Sequence, residues 1–487
     1  MLEPLVRIAP TRAPGQRVGG ATRIVPALCR SVEVLETGVR CRLGDARSSA
    51  GNEITSADVE WTLRYVLAAN GPGKLVLGLA GVDIDRPLTV EDAKTFTINA
   101  RSSTSVLAPA MALLAFSPLD SVEAVAHATE ADPFAREWLA SHSAGFGPYR
   151  VDELDPGRQV TLSVNPGYRG SSAFPPPSIP RIVHRAVPEA RTRAGLLDSG
   201  QAQLVRAAEP DLVRALARST EVIVERLPYN AQIALFLDTT SPPFDEPAVR
   251  RAIACAVDKG AFVRAVSYGQ YRVANGITSP EKLPAQAEEG AEPCPRRDLE
   301  RARRLLARAG GWRGTVPLVY AEPDSGPNAA AGARVLAADL AEAGITVEPT
   351  AAPEPERLFV DALRGELPLV LLAWGANVPD AGYALSAWFG GASPLNVSRF
   401  ASPAADAALA EALRLPLDDP ARNDLLRRVQ RTVVASAAVV PRATLANQVV
   451  VHRTLCGVRP DPVDVVRWQL LSYCRSAQPA RAGPDRR

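Results

Sequence analysis

The sequence predicts an α/β protein that is long enough for two large lobes or about three folding units. Short apolar runs of strand type alternate along the chain with segments of helical periodicity, which is typical of α/β proteins. The chain has 487 residues, of which 46% are hydrophobic, and a domain holds ~150 residues on average. This apolar content excludes a disordered protein, and six cysteines in so long a chain exclude a small disulfide scaffold.

The N-terminal part is predicted to contain short strands and helices separated by turns. Two extended runs lie within 24–43, and Thr55 with Asp58 has the pattern of a capping box at a helix start. That helix ends at the turn signal 70–73. Further strands are predicted at 95–98, 149–151, 159–164 and 182–187, and further helices at 106–114 and 191–199.

The C-terminal part has stronger helix signals. Asp245 is the predicted N-cap of a helix that has Pro247 in its first turn. Its apolar positions recur at helical spacing: Val249, Ala252, Ile253, Ala256 and Val257. Further helices are predicted at 298–309, 328–343, 402–414 and 418–436, and strands at 345–347 and 367–374. The run 367–374 is apolar throughout its length, which suits a buried strand.

The charge balance argues against a nucleic acid as partner. Lys and Arg number 55 and Asp and Glu 53, for a net charge of +2, whereas a duplex-binding surface needs a basic excess. The longest apolar stretches, 367–374 and 432–440, are far shorter than the ~18 residues of a transmembrane helix. Residues 1–20 show neither the apolar core nor the cleavage site of a signal peptide, and no lipid-anchor cysteine.

The residues that usually carry catalysis or bind metals form no motif. The histidines lack a second ligand at metal-binding spacing: His127, His142, His184 and His452. There is no Gly-x-Ser-x-Gly elbow and no Walker motif. Residues 145–147 are followed by a predicted strand, where a phosphate loop would need a helix N-terminus. We therefore predict no catalytic residue, no metal site and no cofactor.

Six cysteines allow up to three disulfides, and spacing alone does not decide their connectivity. The candidate disulfide pairs are Cys29 with Cys41 and Cys456 with Cys474. Cys255 lies on the apolar side of a predicted helix, so we expect it to be a buried thiol.

Seven segments, in this order and at this spacing, resemble one family. They are 53–59 (EITSADV), 147–151 (GPYRV), 162–168 (LSVNPGY), 243–259 (PFDEPAVRRAI followed by AVDK), 302–310 (ARRLLARAG), 340–347 (LAEAGITV) and 371–380 (LLAWGANVPD). The family is that of the solute-binding proteins of bacterial ABC importers for peptides, nickel and related solutes. Each segment is loose by itself, and the common order across residues 26–445 carries the resemblance.

The resemblance implies a bilobal periplasmic-binding-protein fold, with two α/β lobes, a hinge and an extra subdomain inserted in lobe I. Lobe I would comprise 1–43, 146–235 and 455–487, the inserted subdomain 44–145, and lobe II 236–454. The ligand would lie in the cleft between the lobes, where ligand sites are common. The resemblance further implies a monomeric receptor that delivers a peptide or another small molecule to ABC permease subunits, outside the cytoplasm.

One departure from the family concerns the N-terminus. The family's signal, its anchor and its first strand-and-helix segment are missing before residues 2–5, which resemble a later family segment. We expect either a misassigned start or a shortened member, and the second case leaves a cytoplasmic location open. Lobe I would then lack a strand and present an unpaired sheet edge.

A second departure concerns the strand end at Trp374, which the resemblance places at the cleft. Peptide-binding members carry an Asp three residues after this Trp, and that position here is Asn377. Because a neutral amide cannot pair with a buried ammonium, a free peptide N-terminus is disfavoured as ligand. Asp380 would substitute if the loop is shifted. We predict Trp374, Asn377 and Asp380 as ligand-binding residues, with core and turn positions as the alternative.

Four further residues complete the predicted ligand site. Tyr229 and Asn230 precede a strand, 232–237, that is expected to cross between the lobes. Asn396 and Arg399 precede the helix start at 402–403 and are placed within reach of the ligand. A hinge role for the first pair, and a capping or surface role for the second, are the alternatives.

Three functions compete. The first is a solute-binding receptor of an ABC importer for a peptide-like or other small polar solute. The second is a cytoplasmic sensor or carrier of a small molecule on the same fold, which the absent export signal motivates. The third is a hydrolase acting in the cleft, which the sequence disfavours because no nucleophile has a base partner.

Overall fold

The structure is a computed structural model that combines helices and strands along the whole chain, which confirms the predicted α/β class. The residues that it describes are 2–8, 23–102, 104–170, 174–206, 208–227, 231–274, 276–278, 283, 292–322, 324–375, 378, 380–459 and 466–474.

Twenty strands are described. They are β1 (Val6–Ile8), β2 (Ile24–Pro26), β3 (Cys29–Leu35), β4 (Gly38–Leu43), β5 (Leu88–Val90), β6 (Thr95–Asn99), β7 (Tyr149–Asp155), β8 (Gln159–Val164), β9 (Arg181–Arg185), β10 (Leu204–Val205), β11 (Val222–Leu227), β12 (Ala231–Leu237), β13 (Arg272–Val273), β14 (Val316–Tyr320), β15 (Val347–Ala351), β16 (Leu369–Gly375), β17 (Val439–Thr444), β18 (Asn447–His452), β19 (Leu455–Cys456) and β20 (Ser472–Tyr473).

The α-helices of the described residues are α1 (Ser56–Ala68), α2 (Pro72–Leu79), α3 (Leu107–Ala110), α4 (Ser121–Ala126), α5 (Arg136–Leu139), α6 (Ala190–Asp198), α7 (Pro210–Ala215), α8 (Pro247–Ala256), α9 (Lys259–Ser267), α10 (Leu299–Arg308), α11 (Ala329–Glu342), α12 (Leu358–Arg364), α13 (Ala381–Phe389), α14 (Pro403–Arg414) and α15 (Pro420–Ser436). Short 3₁₀ turns lie at Leu114–Phe116, Pro355–Arg357 and Trp468–Leu470. Within the described part of the chain, no helix combines the length and the hydrophobicity that crossing a bilayer requires.

Local signals place most helix starts correctly, with two corrections. The Asp58 carboxylate accepts the backbone N–H of Thr55 at 2.7 Å, as the capping-box pattern predicts. The prediction of Asp245 as the cap of α8 is wrong, because Glu246 is the N-cap and accepts the backbone N–H of Ala248 at 3.3 Å. The helix predicted over 106–114 is also wrong, because α3 ends early and Leu113 has extended backbone angles.

The largest sheet has six strands in the order β13-β17-β12-β16-β14-β15. β12 is antiparallel to both β16 and β17, while β14 is parallel to β15 and β16. Alternate residues of β12 face opposite layers, since Ile233 and Leu235 pack with α8–α11, and Ala234 and Phe236 pack with α12–α15. The result is a three-layer α/β/α unit with a hydrophobic core on each face of the sheet.

The rest of the chain forms smaller sheets. β3-β4-β6-β5 is a four-stranded antiparallel sheet, so residues on both sides of the predicted boundary at 43/44 share one sheet. β7 and β8 form the hairpin expected across 155–157, and β9 extends it. β10-β18-β11 carries α6 and α7 on the face that includes Val450. β1-β2 and β19-β20 are two-stranded.

Two neighbouring connections join the sheet β10-β18-β11 to the six-stranded sheet. β11 ends at Leu227 and β12 begins at Ala231, while β17 ends at Thr444 and β18 begins at Asn447. The backbone N–H of Leu445 donates to the carbonyl of Ala231 at 3.0 Å, so the connection after β17 lies beside the start of β12. The chain therefore changes sheets before Ala231 and after Thr444, whereas the predicted lobe boundaries are 235/236 and 454/455; the division into lobes itself remains a prediction.

All six cysteines are paired, as Cys29–Cys41, Cys255–Cys294 and Cys456–Cys474. The first and third are the pairs that the sequence analysis put forward. The expectation that Cys255 is a free buried thiol is wrong. The segment before α10 returns to the end of α8, where the N–H of Asp298 donates to the carbonyl of Cys255 at 2.9 Å, and this brings Cys294 within 4.9 Å of Cys255, measured between Cα atoms.

The disulfides predict how the protein responds to alkylation. Unfolded without reductant, it is expected to gain no mass from iodoacetamide, and after reduction six alkyl groups. The double variant Cys255→Ser with Cys294→Ser is expected to lose about 2–4 kcal/mol of unfolding free energy in a urea titration, because the cross-link no longer restricts the unfolded chain. Alkylation at Cys255 before reduction would contradict the pairing.

Candidate ligand-binding site

The start of β12 and the ends of β16 and β17 meet at one edge of the six-stranded sheet, beside the connections to β11 and β18. In the strand register, Gln232 is opposite Trp374 on one side and Thr444 on the other, and Thr444 is opposite Arg272 of β13. Directly opposite residues of antiparallel strands share a face. These four side chains, one from each strand, form a row that spans roughly 14 Å at the usual strand spacing; we call it the polar row.

Two members of the polar row are buried without a hydrogen-bond partner. Gln232 and Trp374 are each 4% exposed. Within the described residues, nothing donates to Gln232 Oε1 and nothing accepts from Trp374 Nε1. Leaving such a group unpaired away from water costs about 1–3 kcal/mol. A donor and an acceptor that stay unpaired side by side point to a bound group that supplies both partners.

Aromatic contacts fix the orientation of the Trp374 indole. Its ring is edge-on to Phe236 and Phe389, with centroid distances of 6.3 and 5.4 Å, and it is tilted against Trp388 at 5.5 Å. Trp388 in turn donates its Nε1 proton to the carbonyl of Gly375 at 3.1 Å, which anchors the end of β16. Packing of the ring therefore holds Nε1 of Trp374 in place, and no hydrogen bond from that atom to the described residues is needed.

Asp380 is engaged by the protein. It is 5% exposed, caps α13 by accepting the backbone N–H of Tyr383 at 2.9 Å, and forms an ion pair with Arg422 of α15 at 2.8 Å. Arg422 also donates to Ser105 Oγ at 3.2 Å. These contacts tie α13 and α15 to the segment that follows β6 and favour a structural role. The prediction that Asp380 binds the ligand is untested.

Asn396 and Arg399 lie away from the polar row. The Asn396 amide bonds both the N–H and the carbonyl of Phe400. Arg399, with a left-handed φ of 49°, pairs with Asp238 at 2.8 Å and donates to the carbonyl of Leu363 at 3.0 Å. Asp238 follows the far end of β12, roughly 20 Å from Gln232 at the usual rise of a strand. The structure therefore does not bring these two residues to the row.

Three predicted site residues lie outside the described part of the chain: Tyr229, Asn230 and Asn377. In the sequence, the first two directly precede β12, and Asn377 follows β16 by two residues. Their assignment to the site remains a prediction.

Three members of the polar row were not predicted from the sequence: Gln232, Thr444 and Arg272. Gln232 is the one polar residue in the run 231–237, and a carboxamide at the start of an otherwise apolar strand was the available signal. Its partners are 142 and 212 positions away along the chain, so the row becomes visible only in the strand register. As for metals, the described residues contain no group of three or more His, Cys, Asp or Glu side chains arranged to hold an ion.

The charges nearest to the polar row on its own strands are positive. Arg272 is exposed at one end of the row. Arg442 precedes Thr444 by two residues, is 1% exposed and donates its Nε proton to the carbonyl of Val440 at 3.1 Å. Burial lowers the pKa of Arg442 to about 10, which leaves it protonated at neutral pH.

The Asp380–Arg422 pair yields a prediction that separates its structural role from ligand binding. Asp380→Asn is expected to lower the unfolding free energy by about 3–5 kcal/mol in urea, because it leaves the buried Arg422 without its counter-ion. The matched control Asp361→Asn removes one of the two carboxylate partners of the exposed Arg357 and is expected to cost less than about 1 kcal/mol. Unchanged stability of Asp380→Asn together with lost solute binding would assign the carboxylate to the ligand.

Comparison with known proteins supports the family resemblance. Residues 23–395 match the family model of the bacterial extracellular solute-binding proteins, family 5. The chain is 27% identical over 332 residues to the probable di/tripeptide-binding protein 5 of Pseudomonas aeruginosa, covering 67% of this chain and 61% of that protein. It is 26% identical to the glutathione-binding protein GsiB of Escherichia coli, covering 61% of this chain and 57% of the relative. The chain thus spans about three-fifths of the length of these curated relatives.

Solved structures share the fold. The periplasmic binding protein DppA of Helicobacter pylori, solved with the peptide STSA, superposes with a TM-score of 0.79 at 20% identity, covering 97% of this chain and 92% of the other. The peptide-binding protein AppA of Clostridium difficile, itself described as putative, gives 0.81 at 18%, covering 97% and 94%. These likenesses confirm the periplasmic-binding-protein fold that the motifs implied. The chain belongs to the bacterial extracellular solute-binding proteins of family 5.

Proposed function

We propose that the protein is the receptor of an ABC import system, which captures a peptide-like or other small polar solute between its lobes and delivers it to the permease. The observation that carries the proposal is the pair of buried, unpaired atoms, Gln232 Oε1 and Trp374 Nε1, beside the connections between the two sheets. A receptor needs a few desolvated polar groups that the ligand satisfies. Membership of family 5 and the peptide-binding relatives support the same function.

The connections beside the polar row support a hinge. The segment that follows β17 is bonded to the start of β12, since the N–H of Leu445 donates to the carbonyl of Ala231. Next to them, Tyr268 Oη donates to Asp211 at 2.7 Å and Gln270 Nε2 donates to the carbonyl of Pro210 at 2.9 Å. Rotation about a few residues at such a junction is how two-lobed binding proteins close over a ligand. We infer that closure brings the other lobe over the polar row.

Three disulfides support a location outside the cytoplasm. Such bonds form and persist in oxidising compartments, and thiols stay reduced in most cytoplasms. All six cysteines of this protein are paired. We therefore favour an extracytoplasmic receptor over a cytoplasmic sensor. Membership of a solute-binding family favours a binding protein over an enzyme.

The test is a binding screen followed by matched substitutions. Di- and tripeptides and glutathione are screened by thermal shift, and each hit is measured by calorimetry. We expect binding at one site per chain, and Gln232→Leu and Trp374→Phe should each weaken it about tenfold, because each leaves a ligand group unpaired.

Two controls accompany these variants. Gln203→Leu and Trp312→Phe change residues whose side chains already bond the carbonyls of Gly200 and Gly314, and both should bind the solute as the parent protein does. A screen without a single saturable hit would contradict the receptor function. Binding that Gln232→Leu and Trp374→Phe leave unchanged would move the site elsewhere.

A further inference from the structure

We propose that the polar row recognises an uncharged peptide group of the solute, with Trp374 Nε1 donating to its carbonyl oxygen and Gln232 Oε1 accepting its amide proton. The inference rests on the proposed receptor function and adds the chemical class of the solute group that contacts the polar row. It requires the nitrogen that faces Gln232 to be acylated, as in an internal or N-acylated residue, and excludes a free α-ammonium there.

The geometry of the pair suits one residue of an extended peptide. Gln232 and Trp374 are directly opposite each other, so their Cβ atoms lie about 4.5–5.5 Å apart. The indole can only donate, and the unpaired atom of Gln232 is a carbonyl oxygen that can only accept. In an extended chain the N–H and the C=O of one residue point to the same side, as they do toward a neighbouring strand. A single peptide residue therefore satisfies both atoms at once.

The charges around the row exclude an ammonium at this position. The segments 227–237, 367–379 and 443–451, which form and flank three of its strands, contain no Asp, Glu, Lys or Arg. Asp380 follows the second segment, and its carboxylate is bonded to Arg422 and to the N–H of Tyr383. The nearest charges on the strands of the row, Arg272 and Arg442, are both positive. An ammonium opposite Gln232 would have no counter-ion on these strands, and burial of an unpaired charge is far more costly than burial of an amide. Asp324, whose carbonyl accepts the backbone N–H of Ala373 at 2.6 Å, follows β14 on the other side of β16 from Gln232.

A carboxamide and an indole suit the uncharged strand segments around Gln232 and Trp374. Both side chains supply directed hydrogen bonds without a charge that would have to be desolvated before the solute binds. A carboxylate at position 232 would instead attract an amine. Gln232→Glu is therefore expected to change the preference of the site between an acylated nitrogen and a free amine, as well as its affinity.

The experiment compares two probes, alanine N-methylamide and N-acetyl-alanine N-methylamide, by calorimetry on the full chain. Only the acetylated probe offers the N–H and the C=O of one acylated residue. The parent protein is expected to bind the acetylated probe at least about tenfold more tightly, the factor that 1.4 kcal/mol represents. Gln232→Glu is expected to reduce or reverse this ratio, because its carboxylate pairs with the ammonium. Trp374→Phe should weaken binding of both probes and leave their ratio unchanged.

The controls separate failure of this inference from failure of the receptor function. Gln203→Leu should leave both affinities and their ratio unchanged, and a thermal melt of each variant excludes misfolding. Equal affinity for the two probes, preference for the free amine, or a ratio that Gln232→Glu does not change would overturn the inference, since Gln232 and Trp374 would then bond only water or another group. The receptor function would fall separately, if neither the probes nor any solute of the peptide screen bound.

Discussion

The register of β12 between β16 and β17 is the constraint on which the proposed site depends. That register puts Gln232 opposite Trp374 and Thr444, and it simultaneously sends Ile233 and Leu235 into one core and Ala234 and Phe236 into the other. A slip by one residue would exchange the two faces, so each core would receive apolar side chains of the wrong size and Gln232 would leave the row. The energy that fixes the site is therefore the burial of apolar side chains on both faces of the sheet. Because packing holds the polar atoms in place, they remain free to bond a solute.

Much of the fold follows from local signals in the sequence. The Thr55–Asp58 capping box, the apolar spacing in α8 and the apolar run that becomes β16 each depend on neighbours within a few positions, and each produced the expected element. Trp374 was placed at a strand end for the same reason. Two of the three disulfides join cysteines that are 12 and 18 positions apart, a separation at which proximity along the chain is itself informative. The family was identified from the order of loose motifs, which no single segment would have supported.

The remainder depends on contacts between distant parts of the chain. Gln232 shows its role only when three strands are paired, and Cys255 meets Cys294 only because the segment before α10 packs back on α8. In the sequence, Asp380 is only a polar residue that follows a predicted strand. In the structure, it forms an ion pair with the buried Arg422, which lies 42 positions later in the chain. Asn396 and Arg399 were predicted at the ligand from their place in the chain, whereas Arg399 pairs with Asp238, which the rise of β12 separates from Gln232 by roughly 20 Å. Whether a polar residue lies at the polar row or elsewhere depends on its position along a strand, which the residue type does not reveal.

If the solute binds at the polar row, one of its oxygens accepts a hydrogen bond from Nε1 of Trp374. Nuclear magnetic resonance observes the proton of that bond directly. The indole N–H resonance, assigned by its loss in Trp374→Phe, is followed during titration with a solute from the screen. We expect this resonance to move downfield at saturation and to exchange more slowly with water, because the proton gains a carbonyl acceptor in a site from which water is excluded. An indole resonance that stays unchanged while the solute binds stoichiometrically would place the solute away from the polar row and contradict the proposed contact.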